Sequence, residues 1–315
     1  MVIRKPENYR PIAIGVDHGY GNIKTAHRAF RTGVIESESK PIVSNNYLYY
    51  EGKYYVIGEN HITYQGQKTD SQDFYILTLA ALGEELLHRG FCNANVNLAV
   101  GLPLAWVSSQ KERFKNYLLE KSDVEFSYKD KKFRIHFNDC SVYPQGYSAV
   151  MSYPLDGDNI VADIGNGTMN TMRIYGNLPR EDSLRTEKYG VDICVKKICA
   201  ELSKESGNDF PEEVIEMMIR NGIGTPKNIA ERKTKEIASS YAREIRAKLL
   251  SYGFIPGLNR LYITGGGSCI MKNFSQICEE EGVVLIEDIM ANAKGYETLE
   301  KSRLDMAMKK EAANG

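Results

Sequence analysis

Two short segments, far apart in the chain, share one pattern of residues. Each has an apolar run that ends in an aspartate, glycines two and four positions later, and then a small polar residue. The segments are residues 14–22, IGVDHGYGN, and residues 160–168, IVADIGNGT. Glycine permits positive φ and lets backbone N–H groups approach an anion without a Cβ in the way. Both turns are therefore predicted to bind phosphate.

Each turn carries one aspartate, Asp17 in the first and Asp163 in the second. A carboxylate repels phosphate, so this residue type indicates a divalent cation, with its waters, between the two anions. The aspartates lie 163 − 17 = 146 residues apart, close to half of the 315-residue chain. This repeat predicts two copies of one strand-rich unit that clamp a polyphosphate and Mg²⁺ in a cleft. The alternative is two ordinary glycine-rich β-turns, in which aspartate is only a turn former.

A third glycine element lies near the C-terminal end. Residues 261–264 are predicted to form a strand, Gly265–Gly267 follow it, and Ser268 leads into a helix. Backbone N–H groups at the start of a helix could hold a nucleoside and its phosphates. The element is neither the GxGxxG dinucleotide fingerprint nor the GxxxxGK[ST] P-loop. Its alternative interpretation is a glycine loop without function.

Residues 142–147, with the sequence VYPQGY, lie between the two aspartate turns. We predict that Gln145 starts a helix and projects its amide into the cleft, where it would orient an attacking water. An amide is not a base, so its role would be to position the nucleophile, as in some GTPases. The alternative is a glutamine in solvent at the start of a helix.

The elements that must position these residues follow from hydrophobic periodicity, which predicts a mixed α/β protein. The predicted strands are 12–16, 23–26, 96–100, 160–163, 169–175, 261–264 and 283–286, with short strands up to about residue 58 and a hairpin at 124–137. The predicted helices are 75–88, 108–120, 145–153, 191–206, 211–220, 228–251, 270–281 and 290–309. Ser108 is the predicted cap of the second of these helices.

Composition excludes several classes of protein. The chain has 40 Lys+Arg against 41 Asp+Glu, and this balance disfavours direct electrostatic binding to nucleic acid. With 42% hydrophobic and 26% charged residues, the composition is that of a soluble globular protein of about two domains. No apolar run is long enough to span a membrane, and the polar start lacks the apolar core of a signal peptide. Six cysteines without a CxxC pair favour reduced thiols in the cytoplasm.

Taken together, the motifs resemble those of the actin-like ATPase superfamily. Asp17-x-Gly-x-Gly-Asn-Ile-Lys24, Pro144-Gln145, Asp163-x-Gly-x-Gly-Thr168 and the three glycines after residue 264 resemble its phosphate-1, connect-1, phosphate-2 and adenosine motifs, in that order. Within the superfamily, residues 74–81 and 101–114 are similar to the plasmid-partition actins, the ParM/StbA group. The resemblance spans residues 12 to about 300.

The resemblance implies an α/β, actin-like fold with two RNase-H-like domains that face each other across a nucleotide cleft. Domain I would comprise residues 1–153 with about 288–315, and domain II residues 154–287. It also implies an ATPase that uses ATP, with GTP as the open alternative, together with Mg²⁺. The protein would polymerise with itself into dynamic filaments and segregate plasmid DNA through a DNA-binding adaptor. Centromere-like DNA would be contacted only indirectly, and no membrane partner is expected.

Residue roles carry over by position. Asp17 and Asp163 would organise Mg²⁺ through water, and Gln145 and Asp163 would be the catalytic residues. The nucleotide-binding residues implied are Asp17, Gly19, Tyr20, Gly21, Asn22, Lys24, Gly165, Asn166, Gly167, Thr168, Gly265, Gly266, Gly267 and Ser268. The founding plasmid actin has glutamate where this chain has Gln145, whereas eukaryotic actin has glutamine. It is therefore open whether water is activated by a base or only oriented.

His18 occupies a turn position more often filled by a smaller residue, and it would point either at a phosphate or into solvent.

Two alternative functions are compatible with the same motifs. A non-segregating bacterial cytoskeletal actin is the closer alternative function, and a small-molecule kinase of the same fold is the more distant one. A kinase needs an aspartate that deprotonates a substrate hydroxyl, and the sequence shows no convincing acceptor motif.

Overall fold

The computed structural model describes Glu7, residues 9–61 and residues 68–314. These residues form two compact units. The first unit contains the described residues up to Ala149 and those from Met290 onward, and the second unit is Val150–Ile289.

The first unit is built on a mixed sheet. Its strands are β1 (Ile12–His18), β2 (Asn22–Lys24), β3 (Ala29–Arg31), β4 (Gly33–Ser37), β5 (Tyr47–Tyr50), β6 (Lys53–His61), β7 (Asn93–Leu102), β8 (Asp123–Tyr128) and β9 (Lys131–Pro144). Its first three helices are α1 (Asp73–Arg89), α2 (Leu104–Leu118) and α3 (Tyr147–Val150). Among the described residues, the sheet has nine strands in the order β3-β2-β1-β7-β9-β8-β5-β6-β4.

The centre of this sheet explains where the first turn lies. Strands β1, β7 and β9 run parallel, with Val16 beside Val100 and Val100 beside Val142. Strands β1 and β7 are largely buried, as the apolar runs at residues 12–16 and 96–100 predict. Because parallel strands end at one edge of a sheet, the residues that follow β1 and β9 meet there.

The second unit repeats this plan on a smaller scale. Its strands are β10 (Asp158–Ile164), β11 (Met169–Tyr175), β12 (Leu178–Pro179), β13 (Arg185–Glu187), β14 (Arg260–Thr264) and β15 (Val283–Leu285). Its helices are α4 (Val191–Ser206), α5 (Glu212–Asn221), α6 (Ile229–Ser251) and α7 (Ser268–Phe274). In the described part of the chain, the sheet order is β12-β11-β10-β14-β15, with β13 paired to β11. Strands β10 and β14 are parallel, so their glycine turns share an edge.

The last helix, α8 (Ala291–Asn314), belongs to the first unit and packs against β1 and β7. Three glycines allow the close approach. A Cβ on Gly15 would lie 2.0 Å from the carbonyl oxygen of Ala293, and one on Gly101 would lie 2.0 Å from the Tyr296 hydroxyl. A Cβ on Gly295 would lie 2.0 Å from the Ser148 carbonyl oxygen.

Buried charged groups fix the same helix. The Arg89 guanidinium, from α1, bridges Glu85 of its own helix and Glu297 of α8, with nitrogen–oxygen distances of 2.7 and 2.6 Å. Further along α8, the buried carboxylate of Glu300 accepts hydrogen bonds from Asn97 and Tyr143 at 2.9 and 2.8 Å.

Several predicted helices have different bounds in the structure. The helix predicted to start after Ser108 begins at Leu104, directly after Pro103, so Ser108 lies inside α2. The helix predicted over 270–281 ends at Phe274, because Ser275 is extended and its hydroxyl donates to the Met271 carbonyl. A separate 3₁₀ turn, Ile277–Glu279, follows it. The helix predicted from 145 begins at Tyr147.

In the described parts of the chain, no helix is both long enough and apolar enough to cross a membrane. All six cysteines are free thiols.

Candidate functional site

The first turn is organised around the Asp17 carboxylate at the end of β1. Strand β2 pairs antiparallel with β1 and places Lys24 opposite Asp17. The Lys24 ammonium donates to Oδ2 of Asp17 at 2.8 Å, and the Gln145 amide donates to Oδ1 at 3.2 Å. Burial opposes ionisation of Asp17, but Lys24 and Lys68 outweigh it, and the pKa of Asp17 lies below its usual value. Asp17 is therefore a carboxylate at neutral pH.

Gln145 reaches Asp17 because β9 ends beside β1. Its backbone N–H donates to the Leu102 carbonyl at 2.9 Å, and Gly146 follows with a φ of 78°. The N–H of Gly146 then donates to the Asn292 side chain at 2.9 Å. Gln145 is buried rather than in solvent, and it lies in the turn before α3. Its amide is thus held against the carboxylate of the first turn.

The backbone of the first turn is fixed by Thr32, next to β3. The Thr32 hydroxyl donates to the Gly19 carbonyl at 2.6 Å, and its N–H donates to the Gly21 carbonyl at 3.1 Å. A Cβ on Gly19 would lie 2.7 Å from the Asn22 carbonyl oxygen, so this position needs glycine. Tyr20 is buried and does not face solvent.

His18 lies in the core of the first unit. Its Nε2 is 2.7 Å from the Thr78 hydroxyl, which itself donates to the Phe74 carbonyl at 2.6 Å. The hydroxyl hydrogen is therefore used, and His18 must donate from Nε2. Burial, followed by the nearby Lys68 ammonium, lowers the pKa of His18 to about 3. The expectation of a histidine in solvent is wrong, because the ring packs edge-on against Phe74 and Phe114.

Lys68 contacts this turn and is not among the residues predicted from the sequence. Its ammonium donates to the His18 carbonyl at 2.5 Å and lies 5.7 Å from the ring centres of both Tyr20 and Phe74. The side chain is buried, with 4% of the residue exposed. Nothing in the surrounding sequence separates this lysine from surface lysines; only the fold reveals its burial.

The second turn joins β10 and β11 and is closed by its own backbone. The Gly165 N–H donates to the Thr168 carbonyl at 2.8 Å. Behind the turn lies the start of α4, where the N–H groups of Val191 and Asp192 donate to the carbonyls of Gly165 and Asn166 at 3.0 Å each. The sequence-predicted residues Gly165–Thr168 are thus held as one rigid turn.

The third glycine element lies against this second turn, because β14 is parallel to β10 and pairs Thr264 with Asp163. Gly265 has a φ of 84°, and a Cβ there would lie 2.6 Å from Oδ1 of Asp163. The Gly267 N–H donates to the Ile164 carbonyl at 2.8 Å. By contrast, a Cβ on Gly266 would meet no atom of the described residues within 4 Å. Gly266 therefore presents backbone to open space.

Each aspartate, within its own unit, has surroundings that can be compared with what Mg²⁺ requires of a carboxylate. Both oxygens of Asp17 already accept hydrogen bonds from protein donors, and Asp163 is buried beside glycine. These carboxylates suit an ion held through water rather than by direct coordination, since Mg²⁺ usually keeps several of its waters. Asp17 belongs to the first unit and Asp163 to the second.

Comparison with known proteins gives one family match. Residues 15–147 match the family described as the N-terminal domain of actin-like proteins. No curated protein sequence matches the chain significantly.

Solved structures resemble more than nine tenths of the chain in fold. The archaeal actin homologue Ta0583 is 18% identical, with a TM-score of 0.75 over 92% of this chain and 99% of that one. The actin-like protein Alp7A is 14% identical, with a TM-score of 0.74 over 96% and 99%. ParM in a 15-stranded filament from Clostridium botulinum is 18% identical, with a TM-score of 0.72 over 93% and 100%. Ta0583 has also been solved in complex with ADP, at a TM-score of 0.73, 18% identity and coverage of 92% and 99%. The predicted actin-like fold is confirmed.

Proposed function

We propose that this chain, which is actin-like in its fold and in its N-terminal domain, is an ATPase that binds ATP with Mg²⁺ and polymerises into filaments. One observation carries the proposal: each unit has a buried aspartate beside a glycine turn. In the first unit, the ionised Asp17 is held by Lys24 and Gln145. In the second unit, Asp163 lies against the glycines that follow β14.

The proposed roles follow from chemistry. Asp17 and Asp163 are the residues that would hold Mg²⁺ through its waters, and the ion would neutralise phosphate charge. Lys24 and the two glycine turns hold the phosphates, through the residues Gly19–Asn22 and Gly165–Thr168. The glycines after β14, with Ser268, hold the adenosine. Gln145 orients the attacking water, because its amide is fixed beside the anionic site and is not a base.

We further propose that the two compact units are the two actin-like domains of the chain. The first unit would be domain I, completed by α8, and the second unit would be domain II. Each contributes one aspartate turn, as an internal repeat would require.

Self-assembly has a candidate surface on the second unit. Four apolar residues that are 51–73% exposed lie near the amino ends of β10 and β14, opposite the glycine turns: Tyr175, Leu178, Ile255 and Leu258. We call this set the apolar edge. Its proposed occupant is a second copy of the chain, because the similar ParM was solved as a filament.

The finer function is proposed to be segregation of plasmid DNA in the cytoplasm, through an adaptor that binds a centromere-like site. The net charge of −1 supports an indirect contact, since the chain offers no basic surplus for DNA. A low net charge also permits identical subunits to pack without strong repulsion.

Light scattering of the purified protein tests the proposal. We expect scattering to rise with ATP and Mg²⁺ and to remain low with ADP. A parallel assay of phosphate release should show hydrolysis that accompanies the rise. No rise at any protein concentration, together with transfer of phosphate to a sugar, would overturn the filament function in favour of a kinase.

A further inference from the structure

We infer that Lys68 is a second phosphate-binding lysine of the first unit and that it contacts the polyphosphate of the nucleotide. This inference rests on the proposed nucleotide function. It adds a residue that lies outside the motifs by which the turn can be found in the sequence.

The first step is the burial of a charge. The Lys68 ammonium is shielded from solvent, has the faces of Tyr20 and Phe74 at 5.7 Å, and donates to one backbone carbonyl, that of His18. Burial lowers the pKa of Lys68 to about 8, with Asp17 raising it and Lys24 lowering it further. The side chain is therefore charged at pH 7. Keeping an ammonium buried costs free energy unless an anion compensates it.

The second step is the missing anion. Among residues 9–61 and 68–314, no carboxylate lies within ion-pair distance of Lys68. Asp17 is the acid whose charge acts on it, but the two oxygens of Asp17 accept from Lys24 and Gln145. His18 is neutral, so this cluster holds two ammonium groups and one carboxylate. The surplus positive charge lies directly beside the glycine turn, where an anion would compensate it.

The third step concerns the hydrogen-bond donors of the Lys68 ammonium. An ammonium has three N–H groups, and within the part of the chain that the structure describes Lys68 uses one of them, on the His18 carbonyl. A neutral amide could satisfy that carbonyl equally well. The charge and the two remaining donors are what phosphate binding needs, and they are more than a structural cap needs.

The test compares two variants with a matched control. Lys68→Met removes charge and donors, whereas Lys68→Gln removes the charge and keeps a donor for the His18 carbonyl. Lys53→Met is the control, since the Lys53 ammonium pairs with Glu36 on the surface. Isothermal titration would measure Kd for ATP with Mg²⁺, for adenosine and for inorganic tripolyphosphate, and thermal unfolding would report stability.

We expect both Lys68 variants to weaken ATP and tripolyphosphate binding by about tenfold or more and to leave adenosine binding unchanged. The control should bind all three as the wild type does. If Lys68→Gln binds ATP as tightly as the wild type, or if the variants weaken adenosine and ATP equally, Lys68 is a structural cap and the inference is overturned. If the wild type binds no ATP, the proposed function itself is wrong, and the Lys68 inference is overturned with it.

Discussion

At the scale of single residues, the site depends on one carboxylate whose charge is set by its partners. Asp17 is buried, which opposes ionisation, yet Lys24 and Lys68 keep its pKa low. The same lysines leave a positive surplus at the turn. The proposed binding of phosphate at the first turn depends on this local charge balance rather than on any single residue.

Replacing the aspartate of the second turn tests the proposed metal site. Asp163→Ala should abolish hydrolysis, measured as phosphate release, because the waters of Mg²⁺ would lose an acceptor. Circular dichroism should show an intact fold, because the substitution shortens the side chain and adds no volume. Asp182→Ala is the control, since Asp182 is an exposed carboxylate of the same unit. Normal turnover in Asp163→Ala would contradict the assignment.

Gln145→Ala tests the positioning of water. With the amide lost, we expect kcat to fall by about 10²-fold, since misplacing a reacting group by an ångström has an effect of that size. Filaments should last longer, because hydrolysis would precede their disassembly. Phosphate release and decay of light scattering after ATP is exhausted would measure both effects. Unchanged turnover would remove Gln145 from the mechanism.

The positions of the two glycine turns can be predicted from the sequence. Glycine spacing and the position of each aspartate at the end of an apolar run locate both turns, because these are local requirements of backbone geometry. The contact between Gln145 and Asp17 is not local, since it depends on β9 ending beside β1. Lys68 escapes prediction for a similar reason: part of its burial comes from Tyr20, which lies far earlier in the chain.

At the scale of elements, the first unit depends on how closely α8 packs against β1. Gly15→Ala would place a Cβ 2.0 Å from the carbonyl oxygen of Ala293, and backbone cannot move aside as a side chain can. We expect the free energy of unfolding to fall by about 3 kcal/mol. Urea denaturation would measure this free energy of unfolding. Gly224→Ala is the control, because a Cβ there meets no described atom within 4 Å and should change stability little.

Glu300, the buried carboxylate that helps to fix α8, predicts that the stability of the fold depends on pH. Burial raises the pKa of Glu300, but hydrogen bonds from Arg303, Asn97, Ser141 and Tyr143 outweigh it, and the net pKa is below the ordinary 4.5. The group thus stabilises the fold above pH 4.5, and this contribution is lost as pH falls through the lowered pKa.

Glu300→Gln should therefore lower stability by about 3 kcal/mol at pH 7 and flatten the loss of stability below pH 4.5. Denaturation midpoints measured from pH 3 to 7 would show both effects. Glu125→Gln, which alters an exposed pair with Arg134, is the matched control. If Glu300→Gln keeps the acid slope of the wild type, this carboxylate is not its source.

Most elements could be predicted from periodicity, and their errors have physical causes. Strand β11 and helix α4 have the predicted bounds, because a clear apolar pattern coincides with a glycine turn on one side. Helix α2 starts earlier than predicted, since Pro103 ends the preceding strand and the chain turns at once. Helix α7 stops early because the Ser275 hydroxyl competes for backbone groups, which hydrophobicity does not report.

At the scale of the whole molecule, the proposed assembly surface can be tested separately from the proposed nucleotide site. Leu178→Lys and Leu258→Lys would place charges on the apolar edge, far along the strands from the glycine turns. We expect the critical concentration for ATP-dependent assembly to rise by about tenfold or more, with ATP binding unchanged. Sedimentation would measure the critical concentration, and isothermal titration would measure ATP binding.

The control for that experiment is Met217→Lys, which alters an exposed apolar residue on α5 of the same unit. It should assemble as the wild type does. If the leucine variants also assemble normally, the apolar edge is not a contact between copies, although the nucleotide function would stand.

The return of α8 to the first unit has a consequence for synthesis on the ribosome. This helix is translated after the whole of the second unit, yet it covers strands β1 and β7 that were made at the start. The second unit is one continuous stretch and can complete its packing as soon as residue 289 has emerged. The first unit must wait with an open sheet face until the last helix is released. The nascent chain is thus expected to complete its middle before its beginning.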